Sequence, residues 1–150
     1  MKEEHTLAFE HAWKYFELHS QQRMTVFNFY IAVIGLLGTG SGICLQLGGT
    51  FIYFTSALGI FITFITFIFY KLDDRISFLI KNSELALIKL EGNINIYEIK
   101  IFTIENNNIQ LNNGFFSMWT YGKCFRVSFY VLAYIGMVIS LIPLIIFIFK

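Results

Sequence analysis

The chain has 150 residues, of which 56% are hydrophobic and only 14% charged, with a formal net charge of +1. A water-soluble domain carries about a quarter charged residues, so this balance points to lipid as the solvent. Neither half is strongly basic, which excludes the electrostatic footprint of a direct nucleic-acid binder.

Residues 5–23 place Phe9, Trp13 and Phe16 at helical spacing, with Glu10, Lys14 and Glu17 elsewhere around the wheel. That pattern predicts an amphipathic helix running without interruption into the membrane, its aromatic stripe used for packing or an interface. The acidic residues ahead of the first apolar block are unlike the basic start of a cleavable signal peptide, so the N-terminus is expected to be retained. His5, His11 and His19 show no zinc-ligand spacing, and no metal or other cofactor is expected.

Residues 24–46 carry no charged side chain and are long enough to cross roughly 30 Å of hydrocarbon. Residues 50–70 are likewise uncharged, and only Leu47-Gly48-Gly49 separates the two stretches, which predicts a tight helical hairpin. Beyond it, Leu72, Ile76, Leu79, Ser83, Ala86 and Leu90 alternate at steps of four and three, a coiled-coil rhythm with Gly92 as the stop. Residues 93–116 are Asn-rich, including Asn106-Asn107-Asn108, and read as a loop with limited helix or strand. The stretch 127–149 is a third uncharged span, kinked by Pro143.

Together these segments predict an all-α membrane protein divided at 1–23, 24–70, 71–126 and 127–150. The basic residues of 1–23 and 71–126 place both segments in the cytoplasm of a three-span protein and the C-terminus outside. Cys44 and Cys124 then lie at opposite faces, which argues against a disulfide.

Each span has one face of small or polar residues. In the first it is Asn28, Ala32, Gly35, Thr39, Gly42 and Gln46; in the second Ser56, Gly59, Thr63, Thr66 and Tyr70; in the third Ala133, Gly136, Ser140 and Pro143. Small residues let helices approach closely and hydroxyls bond across them, so helix packing is the plain reading of these faces. The sharper reading is that the Asn28-to-Gln46 face lines a water-filled path in an oligomer. Ionisable groups are absent from all three spans, which argues against a proton relay. The Ser, His and Asp arrangements of intramembrane catalysis are missing too, so no enzyme activity is expected. Asp73 and Asp74 followed by Arg75 suit ion pairing at a helix end.

The stretch from Trp13 to Thr25, containing Glu17-Leu18-His19-Ser20-Gln21-Gln22-Arg23, followed by Phe27-Asn28-Phe29 and later by Lys71-Leu72-Asp73-Asp74-Arg75, resembles the RipA-type octameric bacterial membrane proteins. The resemblance covers residues 13–91 and extends to the accessory membrane pore of type VI CRISPR systems and to two-span antiphage effectors. It implies a homo-oligomeric ring in the bacterial inner membrane, a pore that depolarises or permeabilises the membrane when a cytoplasmic defence partner senses infection. The resemblance also implies a polar belt of Glu17, His19, Gln22, Arg23, Asp73 and Arg75 that serves assembly or gating. The CRISPR branch carries an Arg followed by His, whereas this chain has no His after His19, so nuclease activity is not expected. A non-conducting scaffold or sensor that recruits a soluble partner is the alternative.

Overall fold

The computed structural model describes residues 2–94, 96–111 and 119–148. Among them there is helix and no strand: α1 spans Lys2–Leu47, α2 Phe51–Glu91, α3 Ile101–Leu111 and α4 Tyr121–Ile148, with a short 3-10 turn at Tyr97–Ile99. Three of these, α1, α2 and α4, are long and apolar enough to cross a membrane.

Helix α1 has 46 residues and α2 has 41. At 1.5 Å per residue both reach roughly 60 to 70 Å, twice the hydrocarbon thickness, so each joins an apolar span to a long polar extension. Glu3 and Glu4 in the first turn of α1 and Lys89 in the last turn of α2 complement the helix dipoles. The hairpin turns at Gly48 and Gly49, both left-handed with φ of 65° and 56°. A side chain at either position would meet the steric penalty that glycine escapes. Phe51 N–H then donates to the Gly48 carbonyl and starts α2.

The chain divides into two compact units. The span unit comprises Thr25–Asp73 and Tyr121–Lys150. Its core is Tyr30, Ile34, Ile62, Phe125 and Phe129, with Phe27, Leu37, Ile65, Phe69 and Leu132 packed around them. Phe27 stacks on Phe125 at 3.9 Å and Tyr30 meets Phe129 at 4.9 Å, so α4 is bound to α1 by aromatic faces. Both cysteine thiols are free.

The extension unit comprises Met1–Met24 and Asp74–Thr120. Ala12, Ile76, Ile80 and Leu87 are buried in it, and the aromatic stripe of α1 is used for packing: Trp13 and Phe16 both meet Phe102 of α3, at 6.1 and 5.3 Å. The buried stripe of α2 is offset from the predicted rhythm. Ile76, Ile80, Ser83, Leu87 and Glu91 are buried, while Leu79, Ala86 and Leu90 only flank them and Leu72 is 39% exposed. The covered face lies roughly one residue round the helix from the predicted one along the whole stretch, so the spacing gives the period but not the side that neighbouring elements cover.

The Asn-rich region also departs from expectation, because Asn106, Asn107 and Asn108 lie inside α3. The reason is Glu91. Its buried carboxylate accepts from Phe102 N–H at 3.1 Å, Thr103 N–H at 2.9 Å and the Thr103 hydroxyl at 2.7 Å. The last residue of α2 therefore caps the first turn of α3, meeting two of its unsatisfied donors with a full negative charge. Glu91→Ala is expected to destabilise the extension unit by about 2–3 kcal/mol, since buried donors lose their acceptor. Hydrogen exchange would show it as faster exchange across residues 101–111 with the span unit unchanged.

Candidate functional site

The three small or polar faces have different fates. On α2 and α4 they close against each other. A methyl group added at Gly59 would stand 2.5 Å from the Ser140 backbone nitrogen and 2.8 Å from the Gly136 carbonyl oxygen, and one at Gly136 would stand 2.7 Å from Thr63 Oγ1. The backbones therefore touch where only hydrogen is tolerated. The Ser56 hydroxyl donates across to the Ser140 carbonyl at 2.7 Å, adding a polar link between the helices.

Tyr30 and Thr66 make a second buried link, at 3.1 Å. Because Thr66 spends its single hydrogen on the Ile62 carbonyl at 2.7 Å, the tyrosine hydroxyl is the donor to Thr66. Tyr30 has no exposed surface, yet an aromatic residue within an apolar run gave no periodic signal of that role.

The face of α1 stays open. Asn28, Ala32, Gly35, Thr39 and Gln46 are exposed and Gly42 half-buried, and a methyl group added at Gly35 or Gly42 would meet nothing within 4 Å. The buried positions of the same span, Tyr30, Ile34 and Ser41, lie on another side. Thr39 donates to the Gly35 carbonyl one turn back at 2.9 Å, so its hydroxyl proton is satisfied locally. That leaves the amides of Asn28 and Gln46 as the strongest polar groups at the two ends of an otherwise small-residue stripe. Such a stripe suits a second helix or a water column better than lipid tails.

The six belt residues are distributed over both units. On α1, Glu17 accepts from Gln21 at 3.4 Å, His19 bonds Gln22 at 3.2 Å, and the His19 ring lies edge-on to Tyr15 at 4.3 Å. Arg23 lends positive potential to Glu84 on α2, whose pKa is nonetheless raised, first by burial and then by the neighbouring charge of Glu105, with Lys81 and Arg23 opposing. Asp73 is buried in the span unit, whereas Arg75 is exposed and belongs to the extension unit. Two residues apart on one helix, they point to different sides. No three His, Cys, Asp or Glu side chains come together as a metal site among the described residues.

Near the hairpin turn, Cys44, Phe51, Phe54, Ala57, Leu58 and Phe61 line a shallow groove of about 530 Å³. Its wall is almost wholly apolar, which suits hydrocarbon better than a polar substrate.

No protein-family model matches the chain, and no solved structure matches it. A relative from Escherichia coli, CD-NTase-associated protein 19, is 53% identical over 143 residues, which covers 95% of this chain and 95% of the relative. The name of that relative ties it to a CD-NTase and not to CRISPR, which corrects the CRISPR association implied by the earlier resemblance.

Proposed function

From a chain that belongs to the family of CD-NTase-associated protein 19, we propose a homo-oligomeric membrane protein of antiphage defence, a regulated pore that permeabilises the bacterial inner membrane. The observation that carries this reading is the contrast between the faces. Those of α2 and α4 are consumed within the protomer, while the face of α1 from Asn28 to Gln46 is left uncovered. In a ring of copies that face meets either its neighbours or the central water column.

The extension unit then lies in the cytoplasm with the N-terminus, following the distribution of Lys and Arg, and the C-terminus lies outside. The activating input comes from the CD-NTase-associated system, and this chain acts without catalysis of its own. Purification in a mild detergent followed by native mass measurement is expected to give several copies per particle. The same particle in dye-loaded liposomes is expected to release dye. A single copy per particle would overturn the assembly.

The non-conducting scaffold has one observation in its favour. The extension unit exposes Leu7, Leu18, Phe78 and Leu85, each more than half accessible, a supply of apolar contacts for a soluble partner. An assembly that stays sealed in liposomes while retaining such a partner supports that second reading.

A further inference from the structure

Both long helices of the extension unit turn an exposed face away from its core. On α2, Arg75, Phe78, Leu85 and Lys89 each stand two residues before a buried one, Ser77, Ile80, Leu87 and Glu91, and so lie about 200° round the helix from it. On α1, Glu10 and Lys14 stand two residues either side of buried Ala12, and Glu3, Leu7 and Glu17 stand two before half-buried His5, Phe9 and His19. These outer residues keep the four-and-three rhythm of a coiled-coil seam, through Glu3, Leu7, Glu10, Lys14, Glu17 and Gln21 on one helix and Arg75, Phe78, Asn82, Leu85 and Lys89 on the other. Leu18 flanks the first seam, and Leu7, Leu18, Phe78 and Leu85 give both faces an apolar content.

The two faces differ in sign. Among the described side chains, the exposed charges of α1 in this unit are Glu3, Glu4, Glu10 and Glu17 against Lys14, which is paired with Glu10 at 3.9 Å. Those of α2 are Arg75, Lys81 and Lys89 against Asp74. The first face is therefore acidic and the second basic. Their levels are fixed by His5, whose ring nitrogen donates to the Leu90 carbonyl at 3.3 Å and sets the start of α1 beside the end of α2. Counting from that bond at an equal rise per residue, Leu18 falls level with Phe78. Lys89 falls between the levels of Glu3 and Glu10, and Lys81 between those of Glu10 and Glu17. Two charges do not fit the alternation. Lys14 falls level with Lys81 but keeps Glu10 as its counter-ion, and Asp74 falls level with uncharged Gln21. Lys81 also lends positive potential to half-buried Glu84 on its own helix.

Copies held in one membrane share one depth and one orientation, so levels fixed within the chain hold between neighbouring chains as well. We infer that the outer face of α1 in one copy docks on the outer face of α2 in the next, with Leu18 against Phe78 and with Lys81 and Lys89 set among Glu3, Glu10 and Glu17. Charge complementarity selects a second copy as the occupant, because each face answers the other in sign, in apolar content and in seven-residue spacing. The contact joins two different surfaces, so it repeats from copy to copy until a ring closes. This inference rests on the self-assembly proposed above and gives it a cytoplasmic interface, distinct from the open face of α1 within the membrane. It does not require that the assembly conducts.

The test joins single cysteines in separate copies of the full chain. In a background of Cys44→Ser and Cys124→Ser, a chain with Leu18→Cys is co-expressed with a chain carrying Phe78→Cys and treated in membranes with a short bismaleimide. The mixed pair is expected to cross-link, and either variant expressed alone is not, since in a head-to-tail contact neither residue faces itself. Glu17→Lys is expected to lower the mixed cross-link roughly tenfold by setting like charges together, and Lys81→Glu added to the same chain is expected to restore it. Native mass measurement of the wild type in mild detergent separates the possible failures. Several copies per particle without the mixed cross-link would overturn this inference alone and hand the two faces to a soluble partner. Equal cross-linking of Leu18→Cys with itself would overturn it too, by making the contact symmetric. A single copy per particle would overturn both this interface and the self-assembly on which it rests.

Discussion

Gly59→Ala is expected to destabilise the span unit by about 3 kcal/mol or more. The added carbon would stand 2.5 Å from the nitrogen and 2.9 Å from the Cα of Ser140. Those are backbone atoms of a helix, which cannot turn aside as the end of a side chain can, so α2 and α4 must separate. Overpacking of a close-packed interior costs about 1–3 kcal/mol where side chains can adjust, and this site offers less room to adjust. Separation also strains the Ser56–Ser140 hydrogen bond and the contact of Ile62 beside it. Gly136→Ala is expected to cost less, about 1–3 kcal/mol, because its nearest neighbours are Thr63 Oγ1 and Ile62 Cγ2, both side-chain atoms. Gly35→Ala and Gly42→Ala meet open space, and the better helix propensity of alanine leaves them neutral or up to about 1 kcal/mol more stable. Thermal unfolding of the four variants in detergent checks the order. Equal losses at all four positions would mean that the α1 face is packed within the protomer after all.

That gradient marks what the sequence could and could not convey. The spans were legible because an uncharged run of some twenty residues has few physical alternatives, and the hairpin because only glycines tolerate the left-handed turn at 48 and 49. The small-residue faces were legible as faces, through their spacing. Which of them meet was not, since Gly59 and Gly35 look alike along the chain and differ only in whether another helix arrives. Helix α3 was hidden for a related reason. An Asn-rich stretch has weak helix propensity, and the carboxylate that caps it lies eleven and twelve residues before the donors it serves. The helical period of the α2 stripe was legible, but not which side of the helix the neighbouring elements cover, and the buried stripe lies about one residue round from the predicted one. The belt residues rested on the family resemblance; two-residue spacing sets Asp73 and Arg75 on different sides of the helix, but which of the two is buried the spacing does not report.

Bulky apolar substitution on the open α1 face is expected to abolish function while sparing the fold. Gly35→Leu places a side chain where nothing lies within 4 Å, and Asn28→Leu and Thr39→Leu exchange exposed polar groups for apolar ones of a membrane span. Within the protomer these changes touch no buried contact, so the unfolding midpoint is expected to stay near that of the wild type. Between copies the consequence depends on what the face meets. If it packs against a neighbouring copy, Gly35→Leu holds the two backbones apart and the particle falls to fewer copies, because close approach is what the small residues provide. If it lines water, the particle keeps its size and dye release falls at least tenfold, since leucines at Asn28 and Thr39 make the column apolar and prone to dewetting. Native mass and liposome release on the same three variants separate these results. Variants that match the wild type in stability, copy number and release would remove the α1 face from the functional site, leaving the exposed leucines of the extension unit and the scaffold reading to account for the assembly.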